Sequence, residues 1–340
     1  MTFLAAALLM TTARADWNVV EIGGRDYVSL NEVAEFYGLG KPEPIGRKAF
    51  GASGNGRSLR VKLDSRDAIV NGARTWLAFD VKERGGAPYL SRVDVVHTLE
   101  PAFRPDKVEG ASPVKTIVLD AGHGGHDRGA RSPYGYEKEY TLDVVQRLRK
   151  KLEKAGFNVQ LTRSSDRFIE LPSRPGIARK YKNSIFVSIH FNSADWNRAA
   201  NGIEVYAISA RGTPPTGQKG VQARDNEKEP GHALERTNAV LAASVLHSIL
   251  GGMDFYDRGL KRSRFAVLRY ATVPAILIEC GFLTNAAEAK RIESAAWRDE
   301  LADAIARGIV EYAKYASGKG APRTVTAYGG KPTTEFVPEN

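Results

Sequence analysis

The chain has 340 residues, of which 42% are hydrophobic and 9% aromatic, a composition that indicates a folded protein and excludes a disordered one. Its length predicts two domains, and its net charge of +10 suits an anionic partner such as nucleic acid, a membrane surface or an acidic cell-wall polymer. No zinc-finger spacing or basic block interleaved with aromatic residues occurs, so we expect no nucleic acid partner.

The first fifteen residues, "MTFLAAALLMTTARA", place a short apolar run before an Ala-x-Ala pattern. This order predicts a signal peptide at 1–15 and export to the periplasm, cell envelope or cell exterior. Because the usual Lys or Arg at the start is missing, a cytosolic N-terminal helix or a misplaced start codon is the alternative. No later stretch reaches the roughly 18 apolar residues of a membrane span, so we expect no stable membrane insertion.

Residues 16–105 contain short β-type runs and an Asn71-Gly72 pair that predicts a type I′ hairpin. Two segments that start with Tyr-x-Ser, "YVSLNEVAEFYG" and "YLSRVDVVHTLE", suggest one strand-and-helix unit used twice. We expect a small α+β domain here, serving as a wall-targeting module. Its layout resembles the copper amine oxidase N-terminal-like domains found beside cell-envelope enzymes.

A proline-rich polar linker is predicted at 106–114. From 115 to 317, buried-type strands such as "TIVLD", "SIFVSIH" and "AILIEC" alternate with helical patterns. This alternation predicts an α/β fold, a three-layer sandwich with a largely parallel central sheet. Residues 318–340 show no periodicity and many turn-forming residues, which predicts a flexible tail.

Polar residues stand where the predicted strands of the second domain end. His123 follows the strand at 116–120, His190 ends the strand at 184–190, and Glu279 ends the strand at 275–279. The carboxyl ends of parallel strands share one edge of a sheet, so these side chains are expected to converge there. Glu137, in the loop that opens the next helix, can reach the same edge.

Two imidazoles and one carboxylate form the ligand set of a catalytic zinc ion, with the fourth position left to water. Such an ion lowers the pKa of its water to about 7, and Glu279 can then act as general base and acid. The glycines around His123 allow a sharp turn and leave the site open to a bulky substrate.

The chain contains other histidines and one cysteine that could bind a metal ion or react. His126 is the alternative to His123, ranked second because it lies farther from the strand. A structural role is expected for the remaining histidines and the single cysteine: His97, His232, His247 and Cys280. A dinucleotide-binding G-x-G-x-x-G motif is rejected, because Asp127 stands where its third glycine belongs.

Five segments occur in order between about 115 and 315: "IVLDAGHGGHDRGA", "EKEYTLDVVQRLRKKLEKAGFNVQLTRSSDRFIELPSR", "FVSIHFNS", "NGIEVYAI" and "VPAILIECGFLTN". Together they resemble the zinc-dependent N-acetylmuramoyl-L-alanine amidases with a type 3 catalytic domain. The resemblance implies one zinc ion held by His123, Glu137 and His190, with Glu279 as the catalytic residue.

The resemblance also implies the substrate. The expected reaction is hydrolysis of the amide between N-acetylmuramic acid and L-alanine in peptidoglycan. Stem peptides carry carboxylates, which favours basic contacts from Arg163, Arg174, Lys261 and Arg264. An inactive wall-binding protein and a zinc peptidase or amidase with another substrate are the alternatives, and a regulatory protein partner is left unidentified.

The segment 209–236 is a charged, Pro- and Gly-rich insertion, far longer than the 2 to 6 residues of an ordinary connection. We expect it to border or cover the cleft. One hypothesis is autoinhibition, in which an acidic residue of the insertion reaches the metal. The candidates are Glu227, Glu229 and Glu235.

Overall fold

A computed structural model describes residues 17–320 and 322–337. The predicted signal peptide at 1–15 lies outside the described residues. No helix within the described ranges is long and apolar enough to cross a membrane. The strands are β1 (Val20–Glu21), β2 (Asp26–Ser29), β3 (Glu43–Gly46), β4 (Ala49–Gly54), β5 (Arg57–Lys62), β6 (Asp67–Val70), β7 (Ala73–Trp76), β8 (Lys82–Arg84), β9 (Ala87–Ser91), β10 (Thr116–Ala121), β11 (Asn158–Leu161), β12 (Ser184–Asn192), β13 (Ile203–Ile208), β14 (Asp257–Ser263) and β15 (Ala275–Phe282).

The α-helices are α1 (Leu30–Tyr37), α2 (Arg92–Asp94), α3 (Glu100–Phe103), α4 (Glu137–Lys154), α5 (Ser173–Ala178), α6 (Glu235–Gly252), α7 (Ala266–Arg269), α8 (Ala286–Glu293) and α9 (Ala295–Ala316). A π-helical turn, Val95–Leu99, joins α2 to α3. The 3₁₀ turns are Pro105–Lys107, Ala223–Asn226, Pro230–Leu234 and Thr326–Tyr328.

The N-terminal part is β-rich and follows the predicted repeat. Strands β2 and β9 pair antiparallel, and each leads into a helix capped by a serine, Ser29 or Ser91. Asn71 and Gly72 join β6 to β7 with φ values of 52° and 86°, the two positive values that a type I′ turn requires. A hydrophobic cluster that includes Tyr37 and Phe103 forms the core of this part.

The central sheet of eleven strands has the order β11-β10-β12-β15-β13-β14-β7-β6-β5-β4-β3. Strands β11, β10, β12 and β15 are parallel to one another, as the sequence predicts. The sequence did not predict β14, nor that β7 continues the sheet into the N-terminal part through the pairing of Leu260 with Thr75. Helices α4, α6 and α9 contribute to one large core cluster, and a smaller cluster includes Val118 and Phe186.

Strand β13 runs antiparallel to β15. It therefore begins at the edge where β10, β12 and β15 end, which we call the carboxyl edge. It ends at Ile208 on the other side of the sheet, the amino edge, and the parallel strand β14 ends there as well. This single reversal decides on which edge the loops before and after β13 lie.

Residues 318–340 were predicted to be a flexible tail, but their described part packs on the sheet. Val325 is fully buried, the Thr333 amide donates to the Gly72 carbonyl at 2.8 Å, and the Val337 amide donates to the Asp67 carboxylate at 2.6 Å. Polar, turn-rich composition suggested mobility. It did not reveal that main-chain groups of this segment have partners on the N-terminal strands.

Arg74 joins three parts of the chain, and only 3% of its surface is exposed. Its guanidinium group pairs with Asp67 at 3.1 Å and donates to the Glu335 carbonyl at 2.6 Å and to the Asp257 carbonyl. Its amide donates to the Asp257 carboxylate at 2.6 Å. The N-terminal strands, β14 and the C-terminal segment therefore depend on one buried cation.

We expect Arg74→Ala to destabilise the protein by about 3–5 kcal/mol, because the buried carboxylates of Asp67 and Asp257 lose their cation. Thermal unfolding measures the effect. Lys48→Ala is the control, since the Lys48–Asp64 pair is largely exposed and its loss should cost about 0.5 kcal/mol or less. Equal unfolding midpoints for the two variants would contradict this role.

Candidate metal centre

The predicted site residues converge at the carboxyl edge. His190 on β12 and Glu279 on β15 are directly paired across the two parallel strands. His123 lies in the loop two residues after β10, and Glu137 is the first residue of α4. Helix α4 starts there because Glu139 accepts a hydrogen bond from the Tyr136 amide at 3.0 Å, a capping contact.

Three side chains place their donor atoms around one point. One nitrogen or oxygen atom from each of His123, Glu137 and His190 lies within 4.8 Å of the other two. We call these three residues the metal group. The Glu137 Oε1 atom is 3.0 Å from His123 Nε2 and 3.0 Å from His190 Nδ1. Two imidazoles and one carboxylate at these separations suit a divalent ion of the zinc type.

The electrostatics of the group match this arrangement. Burial raises the pKa of the Glu137 carboxyl, but hydrogen bonds from the two histidines outweigh burial and hold the pKa well below its usual value. Burial lowers the pKa of His123, but Glu137 and Asp127 outweigh that effect and raise it. A nearly buried carboxylate, 3% exposed, thus faces two groups that stabilise its anionic form.

Asp127 orients His123. Its Oδ2 atom is 2.8 Å from His123 Nδ1, and its Oδ1 atom accepts from the Gly129 amide at 3.2 Å. The Asp127 contact occupies Nδ1 and leaves Nε2 facing Glu137. A carboxylate on the far nitrogen is the usual way in which a protein fixes the ring orientation of a metal-binding histidine.

The glycines of the histidine loop (residues 122–129) make room for the site's own side chains. A Cβ atom on Gly122 would lie 2.4 Å from the His190 ring, and one on Gly129 would lie 2.5 Å from the Glu137 carboxylate. His123 itself has a φ of 61°, a strained value for a residue with a side chain. The sequence predicted a sharp turn, and the structure adds the close approach of the candidate ligands.

Two arginines hold this strained loop. Arg174 donates to the His123 carbonyl at 2.9 Å and pairs with the buried carboxylate of Asp120 at 3.0 Å. Arg163 donates to the Gly122 carbonyl at 2.8 Å. The prediction that Arg163 and Arg174 contact substrate is wrong, because each is only 1% exposed and is bonded to main-chain carbonyls under the loop.

Glu279 borders a buried charged cluster. Glu204 on β13 is paired across the strands with Glu279, and its Oε1 atom accepts from Lys261 at 2.6 Å and from Arg258 at 2.5 Å. Burial, followed by the charges of Glu137 and Glu204, raises the pKa of Glu279 well above its usual value, and Lys261 opposes this. Among the described residues, none hydrogen-bonds to the buried Oε2 atom of Glu279.

The other two predicted basic contacts differ in position. Lys261 lies close enough to Glu279 to affect its charge, so its contact with substrate stays a prediction. Arg264 follows the end of β14 at the amino edge, where it pairs with Asp225 at 3.0 Å. Its substrate contact stays a prediction, but that contact cannot be made beside the metal group, because Arg264 lies on the opposite side of the sheet.

The remaining histidines and the cysteine lie outside the metal group. His126 packs against Phe168, with ring centroids 4.3 Å apart and the ring planes tilted by 40°. The residues expected to be structural have these surroundings: His97 contacts Glu235, His232 accepts from the Glu229 amide, His247 contacts the Arg323 carbonyl, and Cys280 is fully buried in the core.

The insertion 209–236 does not border the metal group. It begins where β13 ends, at the amino edge. Glu229 pairs there with Arg269 at 2.9 Å, and Glu235 contacts His97 of the N-terminal part. The autoinhibition hypothesis is therefore wrong for these residues, and for Glu227 on the same segment. The reason is the direction of β13, which runs antiparallel to β15 and so ends at the amino edge.

Sequence reasoning missed Asp127 and Glu204. Asp127 was used only to reject a glycine motif, although its spacing of four from His123 was a usable signal. Glu204 interrupts the apolar run "GIEVYAI", and a charge inside a buried strand requires a partner. The pairing with Lys261 depends on the alignment of β13 and β14 and was not readable from spacing.

This chain is similar to one protein family and to several known proteins. A protein family described as N-acetylmuramoyl-L-alanine amidase matches residues 117–311. The uncharacterized protein YqiI of Bacillus subtilis is 34% identical over 63% of this chain and 91% of its own length. The N-acetylmuramoyl-L-alanine amidase AmiA of Escherichia coli is 31% identical over 67% of this chain and 86% of its own length. A solved structure of the amidase AmiC2 of Nostoc punctiforme is 35% identical over 60% of this chain and 98% of that chain, with a TM-score of 0.48.

We expect Asp127→Asn to weaken metal binding about 10- to 100-fold, because a neutral amide orients His123 less firmly than a carboxylate does. Competition with a metal-chelating indicator measures the affinity, and circular dichroism checks the fold. Asp106→Asn, a change at an exposed aspartate next to Lys107, is the control. An affinity equal to that of the unchanged protein would rule out this positioning role.

Proposed function

Because the chain belongs to the N-acetylmuramoyl-L-alanine amidase family, we infer that it hydrolyses the amide bond between N-acetylmuramic acid and L-alanine in peptidoglycan. The observation that carries this conclusion is the family match over 117–311, within which His123, Glu137 and His190 form one group. The reaction releases stem peptides from the glycan strands.

We propose that His123, Glu137 and His190 hold one zinc ion. The geometry fits such an ion, since two imidazole nitrogens and one carboxylate oxygen face a common point and Asp127 fixes one ring. When bound, zinc supplies Lewis-acid chemistry: it polarises the scissile carbonyl and makes water a stronger nucleophile. Holding this ion also explains why a buried carboxylate is placed between two histidines.

Glu279 is the proposed general base and acid. It is a carboxyl group at the same edge that is not part of the metal group, and it lies next to His190 across the sheet. Within the described part of the chain, no basic side chain pairs with it as Lys261 and Arg258 pair with Glu204. As base, its carboxylate takes a proton from the attacking water. As acid, it gives that proton to the alanine nitrogen, so that the nitrogen leaves as an amine. None of the described residues hydrogen-bonds to the buried Oε2 atom, so no contact there holds the carboxyl group away from this role.

The charged cluster beside Glu279 is proposed to orient it. Glu204 is held by Lys261, Arg258 and the Tyr206 hydroxyl, which donates at 2.6 Å. This fixed anion limits the positions that the Glu279 carboxyl can adopt. Lys261 also offers a positive charge toward the carboxylates of a stem peptide.

We propose that the protein is exported, to the periplasm or the cell exterior, because its substrate lies there. Residues 16–105 are proposed as a wall-targeting module of the copper amine oxidase N-terminal-like type, in front of a catalytic domain at 115–317. The position of the N-terminal strands supports this role: they continue the catalytic sheet, so a wall polymer bound to them would lie at a fixed distance from the metal group.

We expect Glu279→Gln to lower hydrolysis of purified peptidoglycan by about 100-fold or more, because an amide cannot transfer the proton. Mass spectrometry of stem peptides with L-alanine at the amino end measures the reaction. Metal content should stay unchanged, which separates loss of proton transfer from loss of the ion. Glu300→Gln, on the exposed face of α9, is the control. Turnover within twofold of the unchanged protein would overturn the assignment.

Chelation should abolish release of stem peptides, and added Zn²⁺ should restore it, since the metal supplies the Lewis acid. His190→Ala should not respond to Zn²⁺. The product masses also decide between reactions. Cleavage at another bond would indicate a zinc peptidase or another amidase, and an absence of products from the metal-loaded protein would indicate a wall-binding protein without activity.

A further inference from the structure

Trp196 is the most exposed of the large hydrophobic side chains described, at 88%. An indole ring in water leaves much apolar surface hydrated, and tryptophan is among the residues that contribute most to binding when covered. The position of this ring relative to the metal group therefore matters for what could cover it.

The loop that carries Trp196 lies at the carboxyl edge. It runs from the end of β12 at Asn192 to the start of β13 at Ile203. Because β13 is antiparallel to β15, both ends of the loop lie at the edge that holds the metal group. Trp196 is six residues after His190, so their Cα atoms are at most about 20 Å apart.

Hydrogen bonds to the segment after β15 fix the backbone of this loop. The Ala194 amide donates to the Thr284 hydroxyl at 2.9 Å. The Asn285 side chain donates to the Arg198 and Ala199 carbonyls at 3.3 Å each. Thr284 and Asn285 lie two and three residues after the end of β15, the strand of Glu279. The ring is thus presented to solvent by a loop tied to the catalytic strand.

Two further aromatic residues lie at this edge. Tyr134 precedes Glu137 by three residues, and Tyr256 stands just before β14, which starts at the carboxyl edge; both are about half exposed, at 51% and 48%. The charged residues of the same loop, Asp195 and Arg198, are of opposite sign and lie 4.0 Å apart. The loop 193–202 therefore carries no net charge, and exposed aromatic residues stand on other loops of the same edge.

We propose that Trp196 stacks on a sugar ring of the peptidoglycan strand that carries the scissile amide. This inference rests on the proposed function. Stem peptides are recognised through charge, whereas the C–H face of a pyranose ring is flat, apolar and uncharged, and it matches an indole face. The residue then favours long glycan strands over muramyl peptides that lack neighbouring sugars.

The test compares two substrates of one enzyme. We expect Trp196→Ala to raise KM for polymeric peptidoglycan at least fivefold with kcat little changed, because stacking is lost in the ground state and the transition state alike. Hydrolysis of a single N-acetylmuramoyl peptide should change less than twofold. Trp196→Phe, which keeps an aromatic face, should recover most of the loss.

Tyr270→Ala is the matched control. Tyr270 is 40% exposed but precedes β15 at the amino edge, so its removal should affect neither substrate. An unchanged KM for the polymer in Trp196→Ala would overturn the proposal. An equal rise in KM for both substrates would also overturn it, because the ring would then contact the muramyl peptide itself.

A binding measurement separates this proposal from the proposed function. Calorimetric titration with N-acetylglucosamine hexasaccharide should detect binding to the unchanged protein, to Trp196→Phe and to Tyr270→Ala, but at least fivefold weaker binding to Trp196→Ala. This result would support stacking even if no amide were cleaved. Equal binding by all four proteins would overturn stacking even if the amidase reaction were established.

Discussion

The buried contact between Asp120 and Arg174 is the interaction on which the candidate site depends. Asp120 is fully buried and also accepts hydrogen bonds from Thr162 and Ser188, so it joins β12 and the segment after β11 to the strand that leads into the histidine loop. Arg174 also donates a hydrogen bond to the His123 carbonyl, which connects the histidine loop to this buried contact. A residue with positive φ keeps its conformation only where its surroundings fix it. Here that conformation aims His123 at Glu137.

A second constraint is the alignment of three neighbouring strands. His190, Glu279 and Glu204 are paired across β12, β15 and β13, so they occupy one row on one face of the sheet. Glu137 enters this row from a helix start. Three carboxyl groups in so small a space repel one another, and the protein accommodates each in a different way. Glu137 is stabilised by two histidines, Glu204 by two basic side chains, and the pKa of Glu279 is raised.

The sequence was sufficient to predict the α/β architecture and the convergence of His123, Glu137, His190 and Glu279, because strand ends are readable from apolar runs and parallel strands share an edge. It was insufficient wherever the outcome depended on strand direction or on burial of a long side chain. Arg163 and Arg174 carry the positive charge that suits a substrate with carboxylates, yet both side chains are buried. Arg264 and the insertion were misplaced because no sequence signal shows that β13 is reversed.

The reversal of β13 also bears on how such a protein can change over time. Loops at the amino edge are free to lengthen at small entropic cost, since doubling a loop adds only about 0.6 kcal/mol, and none of the residues that surround the metal position is disturbed. Insertion 209–236 lies on that side, where it contacts Arg66 and His97 of the N-terminal part. New binding partners can thus be acquired on one side of the molecule while reactivity on the other stays under separate selection.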